Sequence, residues 1–473
     1  MNDRPTARRG ARRARVARLS LALLLGGAAP GRPAAAQPPD IFLITADALR
    51  ADHLSVNGYP RLTSPAIDAF ARSASHFTEA VTVIPKTGPS FATLFSGRHP
   101  SVHGVRTNQQ RVPETLSLLA ERLRAGGYRT AAFVGNPVLD PTKGYGRGFD
   151  VYRLLVNGDG VTEVNAAFLT WAQGEWRTPS FAWLHYLDPH GPYRPPGHLE
   201  NLFLGDSLAQ SDQRAPLDYD AKPSRDAFKV LGAIPKYQQH GREDRVARYV
   251  ARYDAEIRHV DAAFAEVVGF LRRRNLYDAS VVVFTSDHGE SLGEHRYYFE
   301  HGWFADDASL RVPLVIKAVG QHEGRVSDEQ VSNLDLCPTL LAIAGGPGSS
   351  SDEPAAGSAP PALNLLGAIA ARPPLLVENA DAYPEKFRGV RTRRWKYLVR
   401  DSDGAEELYD LERDAGETRN VAGAEPERVD ALRRAFRDGQ RSGAPSPPRP
   451  SVVETVPPPP ELIDRLRMLG YIE

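Results

Sequence analysis

The sequence predicts an α/β fold: a central, mostly parallel sheet flanked by helices, followed by a small C-terminal α+β subdomain. Three observations carry that prediction. Short apolar runs end in polar residues, helical periodicity fills the stretches between them, and a Gly-, Ser- and Pro-rich break precedes a second set of short runs.

The runs are Ile41-Phe-Leu-Ile44, Phe181-Ala-Trp-Leu184, Val281-Val-Val-Phe284 and Val312-Pro-Leu-Val-Ile316. Their β-branched and aromatic residues, without polar alternation, fit strands buried on both faces. Glu114 to Gly126 places Leu116, Leu119, Ala120 and Leu123 on one helical face, and Tyr249 to Arg274 repeats the pattern over a longer stretch. Gly345 to Ala362 reads as a linker or surface loop. Beyond it, Leu375 to Val377, Trp395 to Val399 and Leu408 to Leu411 fit a small terminal sheet. A helix near Glu425 to Gln440, a proline cluster from Pro445 to Pro460 and a last short helical piece follow. The expected division is 1–36, 37–345, 346–362 and 363–473, and no internal repeat is visible.

With 473 residues, 41% hydrophobic and 25% charged, the chain has material for a large core, and disorder is not its default state. Its first segment differs in kind. Arginines crowd Arg4 to Arg18, the apolar run Leu19 to Leu25 follows, and Ala34-Ala-Ala36 offers the small residues a signal peptidase needs. That order reads as a secretory signal over residues 1–36, too short in its apolar part for a permanent span, with an uncleaved anchor as the alternative. The pairs Arg8-Arg9 and Arg12-Arg13 hint at twin-arginine export. The expectation is therefore an exported protein, periplasmic or extracellular, with no stable membrane span once the signal is removed.

Cleavage after Ala36 removes eight arginines and one aspartate from a balance of 58 basic and 58 acidic residues, leaving the chain seven charges negative. A net negative chain gives no indication of nucleic-acid binding. The single cysteine, Cys337, cannot form an internal disulfide and sits in an apolar run, as a buried structural thiol would.

In open α/β sheets, ligands bind beyond the carboxyl ends of the strands. Asp47 follows the first run, His185 to His190 the second, and Ser286-Asp-His-Gly-Glu290 the third. Carboxylates with imidazole suit a hard or borderline divalent cation, and Asp47, Asp287 and His288 are the candidate ligands. Taken singly, each reads more readily as a capping aspartate or a surface histidine, so the case rests on their company. That company is Pro85-Lys-Thr-Gly-Pro-Ser-Phe-Ala-Thr-Leu-Phe-Ser-Gly97, a loop leading into a helix expected to begin near Ser90. A helix start presents unpaired N–H groups and partial positive charge, favouring a tetrahedral anion and easing ionisation of a nearby hydroxyl. Thr87 would sit beside both anion and metal; a helix-capping or turn role is the alternative.

Several motifs in order resemble the sulfatases of the alkaline phosphatase superfamily, from about Asp40 to Asn420. Asp47-Ala-Leu-Arg-Ala-Asp-His-Leu54 resembles the opening metal motif. Gly88-Pro-Ser90 with Ser96-Gly-Arg-His-Pro-Ser-Val-His-Gly104 resembles the nucleophile helix, and Leu187-Asp-Pro-His-Gly-Pro-Tyr193 the substrate-side histidine motif. Ser286-Asp-His-Gly-Glu-Ser-Leu-Gly-Glu-His295 with His301-Gly302 resembles the second metal motif. Val390-Arg-Thr-Arg-Arg-Trp-Lys-Tyr397, Glu407-Leu-Tyr-Asp-Leu411 and Glu417 to Asn420 resemble the terminal subdomain. The resemblance implies an alkaline phosphatase/sulfatase-like fold and a hydrolase of sulfate or phosphate esters, its substrate a small molecule or a glycan. It also implies ester-facing roles for His190 and His301, in contacting the anion, protonating the leaving oxygen or binding a second metal.

The departures bear on mechanism. The family places a cysteine or serine, oxidised to formylglycine, two residues before Pro-Ser-Arg; here Thr87 stands in that position and Phe91 replaces the arginine. Formylglycine is therefore excluded, and Cys337, outside that context, cannot replace it. A formylglycine hydrate expels sulfate by collapsing to an aldehyde, whereas a threonine ester needs a second attack by water, which favours phosphoryl chemistry. Relatives with threonine include phosphodiesterases and phosphoethanolamine transferases. Ala48 stands where many sulfatases place a second aspartate, which shifts the expected ion from calcium or magnesium toward zinc or manganese. Asp52 is expected to stabilise its loop instead.

The resulting site has Thr87, His190 and His301 as catalytic residues and Asp47, Thr87, Asp287 and His288 around one divalent metal ion. Ser90, His190, His301 and Asn108 contact the substrate, and a second ion at His190 and His301 remains an alternative. His185 and His103 are expected to be structural. A phosphoethanolamine-type transferase, usually preceded by several membrane helices, and a non-catalytic binding protein are the rival classes.

Overall fold

Every residue of β1, Ile41–Ala46, is fully buried, and alternation along the strand divides its side chains between two apolar layers. Phe42, Ile44 and Ala46 join one layer with the helices Gly160–Gly174 and Val246–Arg273, through Phe168, Val260 and Phe264. Ile41 and Leu43 join the other with Thr87–Ser96, Leu119–Ala125 and Leu336–Ala344, through Phe91, Leu119 and Leu340. The computed structural model describes residues 37–156, 160–217, 231–345, 363–367, 372–381, 383–442 and 454–472. The expected signal, 1–36, and linker, 346–362, lie outside the described residues.

In chain order the sheet continues with β2 (Ser75–Phe77), β3 (Arg129–Val134), β4 (Val151–Leu154), β5 (Ser180–Tyr186), β6 (Val281–Ser286), β7 (Leu314–Lys317) and β8 (Arg325–Ser327). Their spatial order is β8-β2-β7-β6-β1-β5-β3-β4, and only β7 runs against its neighbours. The fold is thus the mixed α/β architecture expected, with a mostly parallel central sheet. Register aligns Ala46 with Tyr186 on one side and Ser286 on the other. The segments that leave β1, β5 and β6 therefore start side by side at one edge.

All four apolar runs form strands, but Val312-Pro313 stays outside β7, since proline has no N–H to give the ladder. The helix expected from Glu114 covers only Leu119–Ala125. Pro113 begins an isolated turn closed by the Leu116 N–H, and Glu121 accepts from the Leu118 N–H at 2.9 Å, fixing the helix start at Leu118.

A second, antiparallel sheet contains β9 (Leu375–Glu378), β10 (Phe387–Arg391), β11 (Trp395–Arg400) and β12 (Glu406–Asp410). The helix Pro426–Ser442 covers one face through Val429 and Leu432, while Leu375, Val377 and Leu398 pack on Val81, Val83 and Ile84 of the main body. At that junction the fully buried Lys396 Nζ lies 2.8 Å from Asp307 and 2.7 Å from Glu417. Arg391 adds contacts of 2.6 Å to Asp307 and 2.8 Å to Glu79.

Candidate active site

Adjacent parallel strands deliver Asp47 and the pair Asp287-His288 to the same edge of the sheet. One donor atom from each lies within 4.8 Å of the other two, and all three residues are fully buried. Asp47 Oδ1 stands 3.8 Å and Asp287 Oδ2 3.3 Å from His288 Nε2, and neither oxygen accepts a hydrogen bond from the described residues. The other carboxylate oxygens are held. Asp287 Oδ1 accepts from the N–H groups of Ala48 at 3.2 Å and His288 at 2.9 Å, and Asp47 Oδ2 accepts from Asn136 Nδ2.

Burial pushes the Asp47 carboxyl up to about 7, against the opposing pull of Asn136 and Lys86. Burial, together with the Asp47 charge, holds Asp287 well above the usual carboxylate range. Two buried carboxylates resist joint ionisation, and a cation between them removes that conflict. Two oxygen donors with outward-facing lone pairs and one imidazole fit a divalent ion. His288 Nδ1 lies 2.9 Å from the Gly289 carbonyl, an arrangement that makes Nε2 the lone-pair nitrogen of the neutral ring.

Thr87 is the first residue of the helix Thr87–Ser96, with Lys86 as its N-cap, so the helix starts three residues earlier than expected. Thr87 Oγ1 lies 3.3 Å from His288 Nε2. The shift corrects the role assigned to Ser90. Its N–H already donates to Lys86 at 2.9 Å, and its hydroxyl donates to the Asp287 carbonyl at 2.7 Å and accepts from Asn333 at 2.9 Å. Ser90 fastens the turn of Asp287 and His288 to the helix that Thr87 begins, and its hydroxyl is taken up by those bonds. Asn108 Oδ1 accepts from the Gly88 N–H at 2.9 Å, and its buried Nδ2 has no hydrogen-bond partner among the described residues. A Cβ on Gly88 would fall 2.9 Å from the Tyr145 hydroxyl and 3.1 Å from Asn108 Oδ1, so a larger residue would displace one of these side chains.

His301 and His190 stand beside the trio, their ring centroids 5.1 Å apart, and His301 lies 4.1 Å from His288. The Nδ1 of His301 lies 3.0 Å from Glu290 Oε1, and that of His190 lies 2.7 Å from the Gly191 carbonyl. Both rings are therefore held in the tautomer whose Nε2 carries the lone pair. Among the described residues, only Asp47, Asp287 and His288 form a set of three His, Cys, Asp or Glu donors, and no third donor of those types joins His190 and His301. Asp52 pairs with Arg50 at 2.7 Å, a loop contact away from the trio.

Four residues of the site have no role assigned from the sequence, and a fifth, His185, has only a structural one. Lys86 is buried beside Asp47, and Asn136 bonds it. His185 Nε2 lies 3.3 Å from Asp47 Oδ2; its burial pulls the imidazole down to about 4 and keeps it neutral. A histidine within the otherwise apolar β5 was the available signal. Glu290 and Tyr471 complete the group, the second with its hydroxyl 2.8 Å from Asn136 Nδ2.

Residues 39–346 match the family model described as Sulfatase. The chain belongs to the sulfatase family, hydrolytic enzymes of the alkaline phosphatase superfamily. It is 27% identical to the choline-sulfatase of Rhizobium meliloti (strain 1021), over 85% of this chain and 86% of that one. Its fold is similar to that of a protein solved in complex with its substrate D-glucosamine-2-N,6-O-disulfate, with TM-score 0.71, 18% identity, and coverage of 86% of this chain and 98% of that one. It is also similar to the phosphonate monoester hydrolase of Agrobacterium radiobacter, with TM-score 0.66, 21% identity, and coverage of 86% and 96%.

Proposed function

We propose that this chain is a metal-dependent hydrolase of sulfate or phosphate esters, mono- or diesters, in which Thr87 attacks sulfur or phosphorus and forms a covalent threonyl ester. The observation that carries the reading is the 3.3 Å separation of Thr87 Oγ1 and His288 Nε2, at the edge of the Asp47, Asp287 and His288 trio.

A divalent ion held by Asp47, Asp287 and His288, zinc or manganese in preference to calcium or magnesium, would lower the pKa of the Thr87 hydroxyl and polarise a non-bridging ester oxygen. The Thr87 hydroxyl gives up its proton to solvent and attacks in line with the departing alcohol. Asn108 Nδ2 donates to a non-bridging oxygen, while the helix start at Thr87 and the Lys86 ammonium stabilise negative charge on the transferring group. Protonated at Nε2 before the step, His301, oriented by Glu290, or His190, oriented by Gly191, gives that proton to the leaving oxygen, and the resulting neutral imidazole then takes a proton from the water that opens the threonyl ester. The products are an alcohol and sulfate or phosphate.

The need for that second attack supports phosphoryl over sulfuryl transfer. The names of the relatives, one for a sulfate ester and one for a phosphonate ester, support keeping both classes in view. Residues 1–36 support export to the periplasm or beyond, and no helix of the described residues is long and apolar enough to cross a membrane.

The test is to purify the chain from Gln37 onward, measure its bound metal, and compare rates on an aryl sulfate, an aryl phosphate and a bis-aryl phosphate, with Thr87→Ala beside the wild type. Turnover that survives Thr87→Ala overturns the nucleophile assignment. A sulfate rate within about tenfold of the best phosphate rate, a barrier gap of ~1.4 kcal/mol, overturns the phosphoryl preference.

A further inference from the structure

The segment 454–472 packs against the two loops that carry Asn108 and Asn136. Arg111 donates to Glu454 at 2.8 Å, Val456 donates to Gln109 at 2.9 Å, and Gln110 bridges to Thr455. The helix Pro460–Met468 buries Leu462 and Leu466 against Val138 and Val156. Its end is a Schellman turn. The Gly470 N–H donates to Arg467 at 3.0 Å and the Tyr471 N–H to Leu466 at 2.9 Å, with Gly470 left-handed at φ +71°. A Cβ there would meet the Tyr237 ring at 2.6 Å.

This turn carries Tyr471 to the nucleophile. Its ring lies 4.9 Å from that of His190, Asn136 Nδ2 donates to its hydroxyl at 2.8 Å, and the Thr87 side chain is near enough to act on the same phenol. The Asn136 amide also bonds Asp47, so one side chain ties a metal-ligand candidate to the phenol. We propose that Tyr471 is a working residue of the ester site, holding the Thr87 hydroxyl in place and donating its phenol proton to a non-bridging oxygen of the ester.

A phenol oxygen has two lone pairs and one proton. With Asn136 engaging one lone pair, the phenol proton is available to an anionic oxygen beside Thr87. Preorganised donors of this kind act where charge develops in the transition state. The same helix contributes Arg465, Arg467 and Leu469 to a cleft of about 610 Å³ shared with His190, Arg194 and Lys236. The segment thus supplies both a donor at the reacting group and a cationic wall beside it.

The inference rests on the hydrolase reading, and its test separates the two. Tyr471→Phe removes the hydroxyl while keeping the ring on His190 and in the Val138 cluster. On the best ester, its kcat is expected to fall about tenfold or more, with KM changed less than about threefold and an unchanged melting temperature. Orthovanadate is expected to bind the metal-loaded variant about tenfold more weakly than the wild type. Tyr471→Ala, which also strips the ring, is expected to be less active than Tyr471→Phe. Wild-type kcat and vanadate affinity in Tyr471→Phe overturn the inference and leave the hydrolase reading intact. A wild type that turns over no ester overturns that reading, and vanadate affinity alone then decides the role of Tyr471.

Discussion

Glu290 Oε1 lies 3.0 Å from His301 Nδ1, and both side chains are buried. A carboxylate in that position fixes the ring and raises the basicity of the far nitrogen, as required of a residue that delivers a proton to a departing alkoxide. Glu290→Gln and His301→Ala are therefore expected to lower kcat by about 10²-fold or more on alkyl esters, and by less than about tenfold on nitrophenyl esters, whose leaving group needs no proton. Rates across a series of leaving groups check this. An equal loss on all of them would assign protonation to His190, and His190→Ala would then show the dependence.

The acidic pair sets the response to pH. In the folded, metal-free protein burial raises Asp47 to about 7, above the ordinary value near 4 that it takes when unfolded. A raised folded value means the proton favours the folded state. That contribution is complete below about pH 4 and is lost as pH rises through 7. A divalent ion binds the deprotonated carboxylates and so stabilises more strongly as pH climbs through the same window. The difference in melting temperature between zinc-loaded and chelator-treated protein is expected to be larger at pH 8 than at pH 5. Using the difference removes the separate titrations of Asp261 and Glu417, which burial also raises, to about 6 and about 7. An equal gap at both pH values contradicts the assignment.

Thr87→Ala is expected to reduce kcat by about 10³-fold or more, with little change in melting temperature. Thr87→Ser keeps the hydroxyl but loses the methyl that stiffens χ1, and should retain activity within about tenfold to a hundredfold of the wild type. Acid quenching during turnover, followed by mass spectrometry of the peptide containing Thr87, should reveal sulfate or phosphate on that residue in the wild type. An unlabelled peptide under burst conditions counts against the covalent step.

Lys396 neutralises Asp307 and Glu417 at the junction of the two sheets, with no exposure to water. Lys396→Met leaves buried carboxylates without their cation, a loss expected to cost about 3–5 kcal/mol. Urea denaturation measures it. A variant within ~1 kcal/mol of the wild type would mean that Arg391 alone satisfies the cluster.

Asp47, Asp287 and His288 could be placed from the sequence because they directly follow apolar runs, so the local pattern fixes their position at the sheet edge. Ser90 was misassigned because the helix begins at Thr87, and that small change in its start turned a pocket residue into a brace. The strands β1, β5 and β6 could be read from their apolar runs, whereas β10 could not, because Arg388 and Gly389 interrupt its apolar character. Asn136 and Tyr471 were invisible for a different reason. Their importance lies in contacts such as Asn136 to Tyr471, 335 positions apart, which no local periodicity encodes.

Placing an unaltered threonine at the head of the buried helix has a practical outcome. On the proposed mechanism, the reacting hydroxyl exists from the moment the ribosome inserts it, so no oxidising partner has to find and convert it before the chain folds. A foreign host without such maturation machinery would still make competent enzyme, provided it can secrete the polypeptide and supply the ion.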